Sequence, residues 1–564
     1  MASRRLGEIL LEKKMINTKA LEHALLEQKK SGDLLGKVLI KLGYLTEKQL
    51  LEGLAEHLQI PIINMQQTPV EQEVLKRVPV RFAWHYRCMP LRVAGKTVTL
   101  AMSDPLQVRP IDDLKVHYGL DADIVLSTEA EIQEAIQRYY GVGADTVGQI
   151  LDASPRANGA KSSAQTAADE LPADIESMAE DASVVRLVNQ LLLEAFRARA
   201  SDVHIEPFRD ELQIRYRVDG VLYDVPVPDE IRRFHQAIIS RVKIMSGLDI
   251  VEKRLPQDGR IKVNVGSEEL ELRVSIMPSL YGENVVLRLL PVTMIFEMDK
   301  LGMMPDDQKI LEHLIAKPHG VIFVTGPTGS GKTTTLYACL SKLNTPERKI
   351  ITIENPIEYE LKGLTQIPVA PKIGFSFMEG LRSMLRHDPD VMMVGEVRDQ
   401  ESADITIRAA LTGHLVFSTL HTNDAPGAVT RLIDMGIEPY LIASTVLAFI
   451  GQRLVRQICP NCKVVNPEPV ALPAGPGEKL PATIYKGKGC DNCRMSGYRG
   501  RIGIYEVMVL DPAIRQLIMQ KAPAELIKQQ LLSKGWKSMR QDGWHRVAMG
   551  HTTPEEVLKV TTDD

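Results

Sequence analysis

The chain has 564 residues, of which 44% are hydrophobic and 25% charged, so it is long enough for about three or four globular domains. Its net charge of −4 argues against the overall basic field of many nucleic-acid-binding proteins. Its apolar runs are shorter than the about 18 residues of a membrane-spanning helix, and the N-terminus lacks the apolar core of a signal peptide. We therefore expect a cytoplasmic protein that meets a membrane only through partners.

The N-terminal region contains an internal repeat. Residues 5–28 align without gaps to residues 34–57, with leucines and glycines at matching positions. The apolar spacing predicts helices, and Asn17 and Thr46 stand where an N-cap would begin the second helix of each copy. We expect two helix-turn-helix copies in a twofold module, because two copies are too few for a solenoid.

The rest of the chain divides by composition and pattern. Residues 58–140 mix strand-like and helical runs, so the N-terminal region 1–140 is expected to close with a small α/β domain. Residues 141–180 are rich in Ala, Ser, Pro and Asp, which predicts a flexible linker. Residues 181–293 show an α+β pattern of one amphipathic helix and alternating strands. Residues 294–564 repeat helix, buried strand and loop, which indicates a parallel α/β sheet, and end in helices.

The stretch VIFVTGPTGSGKTTTLYACL (321–340) reads as a strand, a glycine-rich turn and a helix, and it contains the pattern G-x-x-x-x-G-K-[ST]. In this pattern, backbone N–H groups wrap phosphates, Lys332 reaches the β and γ oxygens, and the Thr333 hydroxyl ligates Mg²⁺. The helix N-terminus adds positive potential. The predicted ATP-binding residues are Gly326, Pro327, Thr328, Gly329, Ser330, Gly331, Lys332, Thr333 and Thr334.

Two further strand ends carry acids. The apolar run VMMV leads into Gly395 and Glu396, and we expect Glu396 to activate the attacking water. Because Gly395 stands where an Asp is usual, Mg²⁺ would rely on Thr333, water and another acid. IITIENPIEYE offers Glu354 and Glu358, which we interpret as metal-side or second-shell acids. Ordinary strand-end charges are the alternative.

A histidine ends another buried strand. In TGHLVFSTLHTNDA (412–425), His421 follows the apolar run, and ligands of open α/β sheets bind at such strand ends. We expect His421 to sense the γ-phosphate, with a structural histidine as the alternative. His414, in the same stretch, is a weaker candidate.

Four sequence motifs carry a family resemblance: the glycine-rich loop and the segments that contain Glu354, Glu396 and His421. Together, and in this order, these boxes resemble those of the secretion ATPase superfamily that powers type IV pili and type II secretion. The segments SDVHIEPF, IRYRVDG and RLPQDGRI also match the domain that precedes its ATPase core, so the resemblance covers roughly residues 180–564. It implies a RecA-like P-loop ATPase domain after an α+β (PAS-like) domain, a hexamer, and ATP hydrolysis coupled to mechanical work. Gly395 is typical of this family, whereas Asn355 stands where Asp is common.

The resemblance also implies that the pre-ATPase domain contributes arginines to a nucleotide site, where they would stabilise charge developing on the γ-phosphate. Arg215 and Arg217 are the best candidates, since residues two apart on a strand share a face. Arg254 and Arg260 are weaker candidates. A solvated, charged strand face is the alternative.

Four of the six cysteines form two C-x-x-C pairs, in CPNC and CDNC. Cys459, Cys462, Cys490 and Cys493 predict a closed, structural Zn²⁺ site with four thiolates (459–493), the alternative being four reduced thiols. In the family, assembly ATPases carry such an element and the shorter retraction ATPases generally lack it, which favours an extension or secretion motor.

The N-terminal repeat resembles the cyclic di-GMP-binding module found at the front of some pilus and secretion ATPases. The resemblance implies a guanine contact for Arg5 and an apolar lining from both copies. The lining residues would be Leu6, Gly7, Leu10, Leu35, Gly36 and Leu39. Two positions depart from the pattern: Lys14 replaces the usual Gly, and Leu34 stands where a second Arg is often found. A helical docking module is the alternative.

The leading interpretation is a hexameric pilus-assembly motor that uses ATP and Mg²⁺, holds Zn²⁺ and responds to cyclic di-GMP. Its expected partners are an inner-membrane platform protein and other cytoplasmic components of the pilus machine. A type II secretion ATPase, which shares every catalytic box, is the nearest alternative. A nucleic-acid translocase is disfavoured by the acidic balance, and a non-enzymatic nucleotide sensor by the retention of Lys332, Thr333 and Glu396.

Overall fold

A computed structural model describes residues 6–65, 67–143, 146, 182–265, 268–291, 296–370, 373–466 and 483–561. Its contacts divide the chain into two compact units, Met1–Leu289 and Leu290–Asp564. Most of the predicted linker (141–180) and the proposed ligand residue Arg5 lie outside the described residues. The α/β class predicted from the sequence is confirmed, with an α+β portion in the first unit.

The first unit begins with four helices that follow the two copies of the repeat. They are α1 (Leu6–Glu12), α2 (Thr18–Ser31), α3 (Leu35–Lys41) and α4 (Glu47–Leu58). Asn17 caps α2 by accepting the N–H of Ala20 at 2.8 Å, and Thr46 forms a capping box with Gln49 at α4, as predicted. The repeated glycines permit close helix contacts, since a Cβ added at Gly36 would lie 2.7 Å from the Leu50 side chain.

An α/β portion follows, also as predicted. Its helices are α5 (Gln72–Arg77), α6 (Val80–Tyr86), α7 (Arg109–Tyr118) and α8 (Glu129–Tyr140), and its strands are β1 (Cys88–Ala94), β2 (Thr97–Met102) and β3 (Asp121–Leu126). Strand β2 lies in the middle, antiparallel to β1 and parallel to β3. The carboxylate of Glu47 in the helical repeat accepts the N–H of Glu129 at 2.8 Å, so α4 caps the first turn of α8.

The α+β portion of the first unit contains a six-stranded sheet in the order β6-β5-β4-β9-β8-β7. Its elements are α9 (Ala182–Arg197), α10 (His235–Ser246), β4 (Ala200–Pro207), β5 (Leu212–Val218), β6 (Val221–Asp224), β7 (Gln257–Val265), β8 (Glu268–Ser279) and β9 (Gly282–Pro291). The Val142 N–H, just after α8, donates to the Pro226 carbonyl at 2.8 Å. Gly141 allows this approach, because a Cβ there would lie 2.0 Å from the same oxygen.

The second unit is built on a seven-stranded sheet in the order β12-β11-β13-β14-β10-β15-β18. The strands are β10 (Gly320–Thr325), β11 (Ile350–Glu354), β12 (Thr365–Pro368), β13 (Val391–Val394), β14 (Leu415–Leu420), β15 (Val446–Ile458) and β18 (Tyr498–Val509). All neighbours pair in parallel except β18, which is antiparallel to β15. Buried clusters on both faces explain why these strands read as continuous apolar runs.

Helices cover this sheet. They are α11 (Pro305–Ile315), α12 (Lys332–Leu343), α13 (Phe377–Met384), α14 (Gln400–Leu411), α15 (Ala425–Asp434), α16 (Pro439–Thr445), α17 (Pro512–Met519), α18 (Ala524–Ser533), α19 (Met539–Ala548) and α20 (Pro554–Val560). The last four form the predicted helical tail. A small hairpin of β16 (Lys463–Val465) and β17 (Tyr485–Gly487) lies beside the cysteines. Among the described helices, none combines the length and apolar character that crossing a bilayer requires.

Candidate functional site

The glycine-rich loop connects the buried strand β10 to helix α12. Its glycines adopt positive φ angles, 152° at Gly326, 80° at Gly329 and 89° at Gly331, which residues with a side chain rarely adopt. At Gly326 there is also no room, since a Cβ would lie 2.6 Å from the Gln452 carbonyl oxygen. These conformations and the start of α12 at Lys332 form a loop suited to phosphate binding.

Lys332 lies within this loop. Its ammonium donates to the carbonyls of Gly326 at 2.7 Å and Pro327 at 3.0 Å. Burial lowers the pKa of Lys332 to about 8, and the negative charge of Glu396 acts in the opposite direction. The ammonium is therefore already directed into the loop, at the position from which a P-loop lysine contacts phosphates.

Glu396 and His421 are brought together at the same edge of the sheet. Strands β13 and β14 are parallel neighbours, so the residues after their carboxyl ends meet. The His421 Nε2 atom lies 3.4 Å from Glu396 Oε2, and Arg398 Nε lies 2.7 Å from the same oxygen in an ion pair. Because β10 pairs in parallel with β14, the phosphate loop, which begins at the carboxyl end of β10, lies at this edge too. His414, in contrast, precedes β14 and lies at the opposite end of that strand.

Glu354 ends β11 but is only 3% exposed. Its carboxylate accepts hydrogen bonds from the Thr352 hydroxyl at 2.6 Å, the Tyr337 hydroxyl at 2.5 Å and the Gln366 amide at 3.2 Å. Burial raises its pKa, and these hydrogen bonds oppose that effect. Because three protein side chains already donate to its carboxylate, Glu354 is better placed to support a metal site through hydrogen bonds than to ligate the metal directly. The half-buried Glu358 lies close enough for its charge to raise the pKa of Glu354 further.

The structure gives a physical reason for Gly395. Its N–H donates to the Ile353 carbonyl at 2.9 Å, and a Cβ added at this position would lie 3.1 Å from that oxygen. An Asp here would crowd the neighbouring strand β11. The close pairing of β13 with β11 therefore leaves little room for a side chain at this position.

Sequence reasoning missed two residues of β15 that lie against the phosphate loop. Gln452 is 1% exposed, accepts a hydrogen bond from the Thr335 hydroxyl at 2.8 Å and lies so close to the loop that a Cβ at Gly331 would be 2.8 Å from its Nε2 atom. Arg453 follows it, and its Nη1 atom would lie 3.1 Å from a Cβ at Gly326. The available signal was a polar pair, Gln-Arg, in the middle of the apolar strand LAFIGQRLV.

In the first unit, Arg215 and Arg217 share one face of β5, as their spacing predicts. Arg215 donates to Glu206 at 2.9 Å, and Arg217 lies 3.7 Å from Asp202, both acids being on the neighbouring strand β4. Of the weaker candidates, Arg254 pairs with Glu252 at 2.8 Å, and Arg260 lies 3.5 Å from Glu271. Each candidate arginine thus has an acidic partner within the unit.

The four predicted cysteine ligands converge. Their sulfur atoms all lie within 4.8 Å of one another, with Sγ–Sγ distances of 3.8 Å for Cys459–Cys490, 3.8 Å for Cys462–Cys493 and 3.6 Å for Cys490–Cys493. A tetrahedron with Zn–S bonds of about 2.3 Å requires sulfurs about 3.8 Å apart. The cluster is compatible with zinc, and the separations are too long for disulfide bonds.

The predicted cyclic di-GMP residues divide by burial. Leu10 and Leu39 are fully buried in the core between the helices of the repeat, and Gly7 and Gly36 are buried where helices touch. Leu6 and Leu35 are partly exposed. Lys14 adopts φ 56°, and Gly43, at the same position of the second copy, adopts φ 72°. The left-handed turn is therefore kept in the first copy without a glycine.

A phosphate loop, a carboxylate and a histidine thus lie together at the carboxyl ends of neighbouring parallel strands. This arrangement defines an ATPase of the P-loop class. The chain belongs to the family described as "Type II/IV secretion system protein", whose sequence profile matches residues 177–559. A second profile, the MshEN domain, matches residues 58–146. That second match covers the α/β portion of the first unit and not the helical repeat before it.

Individual relatives agree with this assignment. The chain is 42% identical to the type IV pilus assembly ATPase PilB of Myxococcus xanthus, with 100% of both chains covered. It is 40% identical to the type II secretion system protein E of Xanthomonas campestris pv. campestris, over 100% of this chain and 99% of that protein. The solved structure of the Yersinia pseudotuberculosis ATPase DotB shares the fold, with a TM-score of 0.51, 20% identity, and coverage of 67% of this chain and 93% of that one.

Proposed function

We propose that this chain hydrolyses ATP at the sheet edge formed by the phosphate loop, Glu396 and His421. The loop and Lys332 hold the phosphates, Thr333 ligates Mg²⁺, and Glu396 orients the attacking water. His421 senses the γ-phosphate. Glu354 and Glu358 supply negative charge beside the Mg²⁺ ion and position the groups that bind it. The observation that carries this proposal is the meeting of Glu396 and His421 next to the loop, with 3.4 Å between their side chains.

We propose further that the energy drives type IV pilus assembly, in a homo-hexamer that acts on an inner-membrane platform protein and other components of the pilus machine. The full-length similarity to a pilus assembly ATPase supports this proposal. Type II secretion is the second candidate, because a type II secretion protein matches over nearly the same length at 40% identity. In the hexamer, Arg215 and Arg217 would exchange their acidic partners for the nucleotide of a neighbouring subunit.

Gene deletion in the native host separates the two candidates. Cells without this chain are complemented with the wild-type protein or with Glu396→Gln, and both surface pili and secreted proteins are measured. We expect wild type to restore pili, Glu396→Gln to restore none, and protein secretion to stay unchanged throughout. Loss of secretion with normal pili would assign the chain to type II secretion instead.

We propose that cyclic di-GMP regulates the motor through the N-terminal region, which the MshEN match supports. Helix α8 offers a route for the signal. Glu47 of the helical repeat caps its first turn, and Val142, just beyond its last turn, donates to the Pro226 carbonyl. The adjoining Val225 N–H donates to the Ile214 carbonyl at 2.8 Å, immediately before Arg215.

Two variants test this regulation. Titration with fluorescent cyclic di-GMP is expected to give micromolar or tighter binding to wild type, and Arg5→Ala is expected to lose it. Glu47→Ala is expected to keep the binding but to lose the response of the ATPase rate. The matched control, Glu22→Ala, alters an exposed acid of the same repeat and is expected to keep both. Absence of binding to wild type would make the repeat a docking module.

We propose that the four-cysteine cluster holds a structural zinc ion. The tetrahedral fit of the sulfur positions supports this proposal, and such a closed site has no open position for catalysis. The cluster joins the end of β15 to the start of β18, the last two strands at one edge of the sheet. A bound ion would therefore stabilise the edge of the ATPase unit.

A further inference from the structure

Arg453 occupies an unusual position beside the phosphate loop. The loop's first glycine, Gly326, packs so closely on β15 that a Cβ would lie 2.6 Å from the Gln452 carbonyl and 3.1 Å from Arg453 Nη1. The guanidinium therefore lies directly against the loop. It belongs to the same unit as Lys332 and is a further cation at this edge of the sheet, besides Lys332 and Arg398.

The described contacts of Arg453 are all with neutral groups. Its Nη1 donates to the Gln452 carbonyl at 3.2 Å, and its Nη2 donates to the carbonyl of Asn423 at 2.9 Å. The Asn423 side-chain oxygen lies 3.4 Å from the same nitrogen. Within the described part of the chain, no carboxylate oxygen comes within the 4.0 Å of an ion pair with this half-buried guanidinium.

The acids that influence Arg453 most, Glu506 and Asp424, are held by other groups. The two oxygens of Glu506 accept the N–H groups of Ala425 and Met539 at the starts of α15 and α19. Asp424 accepts the N–H of Gly427 in the first turn of α15. A partly buried cation without a close anionic partner is costly, so this arrangement suits an anionic ligand.

The position of Arg453 relative to the phosphate loop indicates which part of a bound nucleotide it would contact. Along the edge, the order of the strands is β13, β14, β10 and β15, so the backbone of Arg453 lies on the opposite side of the phosphate loop from Glu396 and His421. Its guanidinium extends back over the first glycine of the loop to Asn423, after β14. In the proposed function, Glu396 and His421 lie on the side where water attacks the γ-phosphate. In the proposed site, a cation over the first glycine of the loop is therefore nearer to the phosphates that the loop itself holds, which ATP and ADP share, than to the attacking water beside Glu396.

We propose that Arg453 binds the diphosphate portion of the nucleotide, as a same-chain partner of Lys332. Arginine suits this role because its planar donors match phosphate oxygens. Since ATP and ADP both contain the diphosphate, Arg453 contributes to ground-state binding more than to the chemical step. The inference rests on the proposed nucleotide site, and it holds whether the motor serves pili or secretion.

The test measures binding and turnover in the full chain. Affinities for ADP, ATP and inorganic pyrophosphate are compared among wild type, Arg453→Gln and Arg453→Lys. Arg431→Gln is the matched control, because Arg431 is exposed on α15. We expect Arg453→Gln to weaken all three affinities by about 10- to 100-fold, with Arg453→Lys intermediate. KM should rise while kcat stays within about threefold, the pattern of lost uniform binding.

Melting temperatures without nucleotide separate a ligand role from a structural one. A lower melting temperature with unchanged ADP affinity in Arg453→Gln would overturn the proposal. The residue would then have a structural role, holding β15 to the segment after β14. Unchanged pyrophosphate affinity with weaker ADP binding would also overturn it, since the contact would then be to the nucleoside. If Arg453→Gln does not fold, Arg453→Lys decides by the same comparison.

Lys332→Ala distinguishes failure of this inference from failure of the nucleotide site itself. If Lys332→Ala keeps wild-type ADP affinity, the proposed nucleotide site is wrong, and with it the inference. If Lys332→Ala loses the affinity while both Arg453 variants keep it, only the role of Arg453 is refuted. If the variants at Lys332 and at Arg453 both lose ADP affinity while Arg431→Gln keeps it, the proposal is supported.

Discussion

Glu506 offers a sharp test of how the ATPase unit is held together. This carboxylate is 4% exposed and joins two helices that are distant in sequence. One oxygen accepts the Ala425 N–H at 2.6 Å and the other accepts the Met539 N–H at 3.1 Å. Its negative charge also lies at the positive ends of α15 and α19. We predict that Glu506→Gln, a nearly isosteric change, destabilises the unit.

The magnitude follows from the two hydrogen bonds. Glutamine has one acceptor oxygen, so its NH₂ group must face one of the two backbone N–H groups and leave it unpaired. Loss of one charged hydrogen bond and of the favourable charge at two helix ends is expected to lower the free energy of unfolding by about 2–4 kcal/mol. For a unit of this size, the melting temperature falls by roughly 4–10 °C.

Calorimetry or circular dichroism on the full chain measures this shift. Glu525→Gln is the matched control, because Glu525 is an exposed acid in the first turn of α18 and loses the same charge. Its melting temperature is expected to stay within about 1 °C of wild type, as for most surface substitutions. If Glu506→Gln and Glu525→Gln had the same melting temperature, the Glu506 carboxylate would not be stabilising the starts of the two helices.

Three further outcomes are expected. Glu396→Gln should lower kcat by about 10²- to 10⁴-fold while ATP binding persists, and near-normal turnover would contradict the assignment of Glu396. Cys459→Ser should remove the zinc measured by metal analysis and lower the melting temperature, whereas Cys88→Ala, outside the cluster, should retain the metal. Burial alone would raise the pKa of Glu556, but its hydrogen bond to Arg456 and that residue's charge outweigh burial and lower the pKa. Its stabilising contribution is therefore complete above the unfolded-state pKa of about 4.3 and is lost as the pH falls toward the folded-state value. Glu556→Gln should accordingly show a smaller drop in melting temperature between pH 6 and about pH 3 than wild type, and equal drops would refute this pairing.

Several features could be predicted from the sequence because their causes are local. The phosphate loop is one continuous segment, and its glycines adopt the positive φ angles that the pattern requires. The caps Asn17 and Thr46 act on backbone groups three residues away. The buried strands of the second unit appear as apolar runs because both faces of the sheet are covered. The family resemblance rested on the order of these motifs along the chain, and the profile match confirms the family.

Other features depended on contacts between distant segments. The donors around Glu354 come from Tyr337 and Gln366 as well as from its own strand, and no local pattern shows that they converge. The repeat predicts helices, but only their packing shows that Leu10 and Leu39 are fully buried while Leu6 and Leu35 remain partly exposed. A ligand role for these leucines stays a prediction.

The sequence by itself determined the chemistry that each segment brings: a loop for phosphates, acids and a histidine at strand ends, and two pairs of thiols. Only the tertiary structure decided which of these groups meet. Parallel pairing places the ends of β10, β13 and β14 at one edge, and β15 adds Arg453 there although it lies more than a hundred residues beyond the loop. The physical reason is that strand order in a sheet is set by packing over the whole unit, whereas loop and cap conformations are set by their nearest neighbours in the chain.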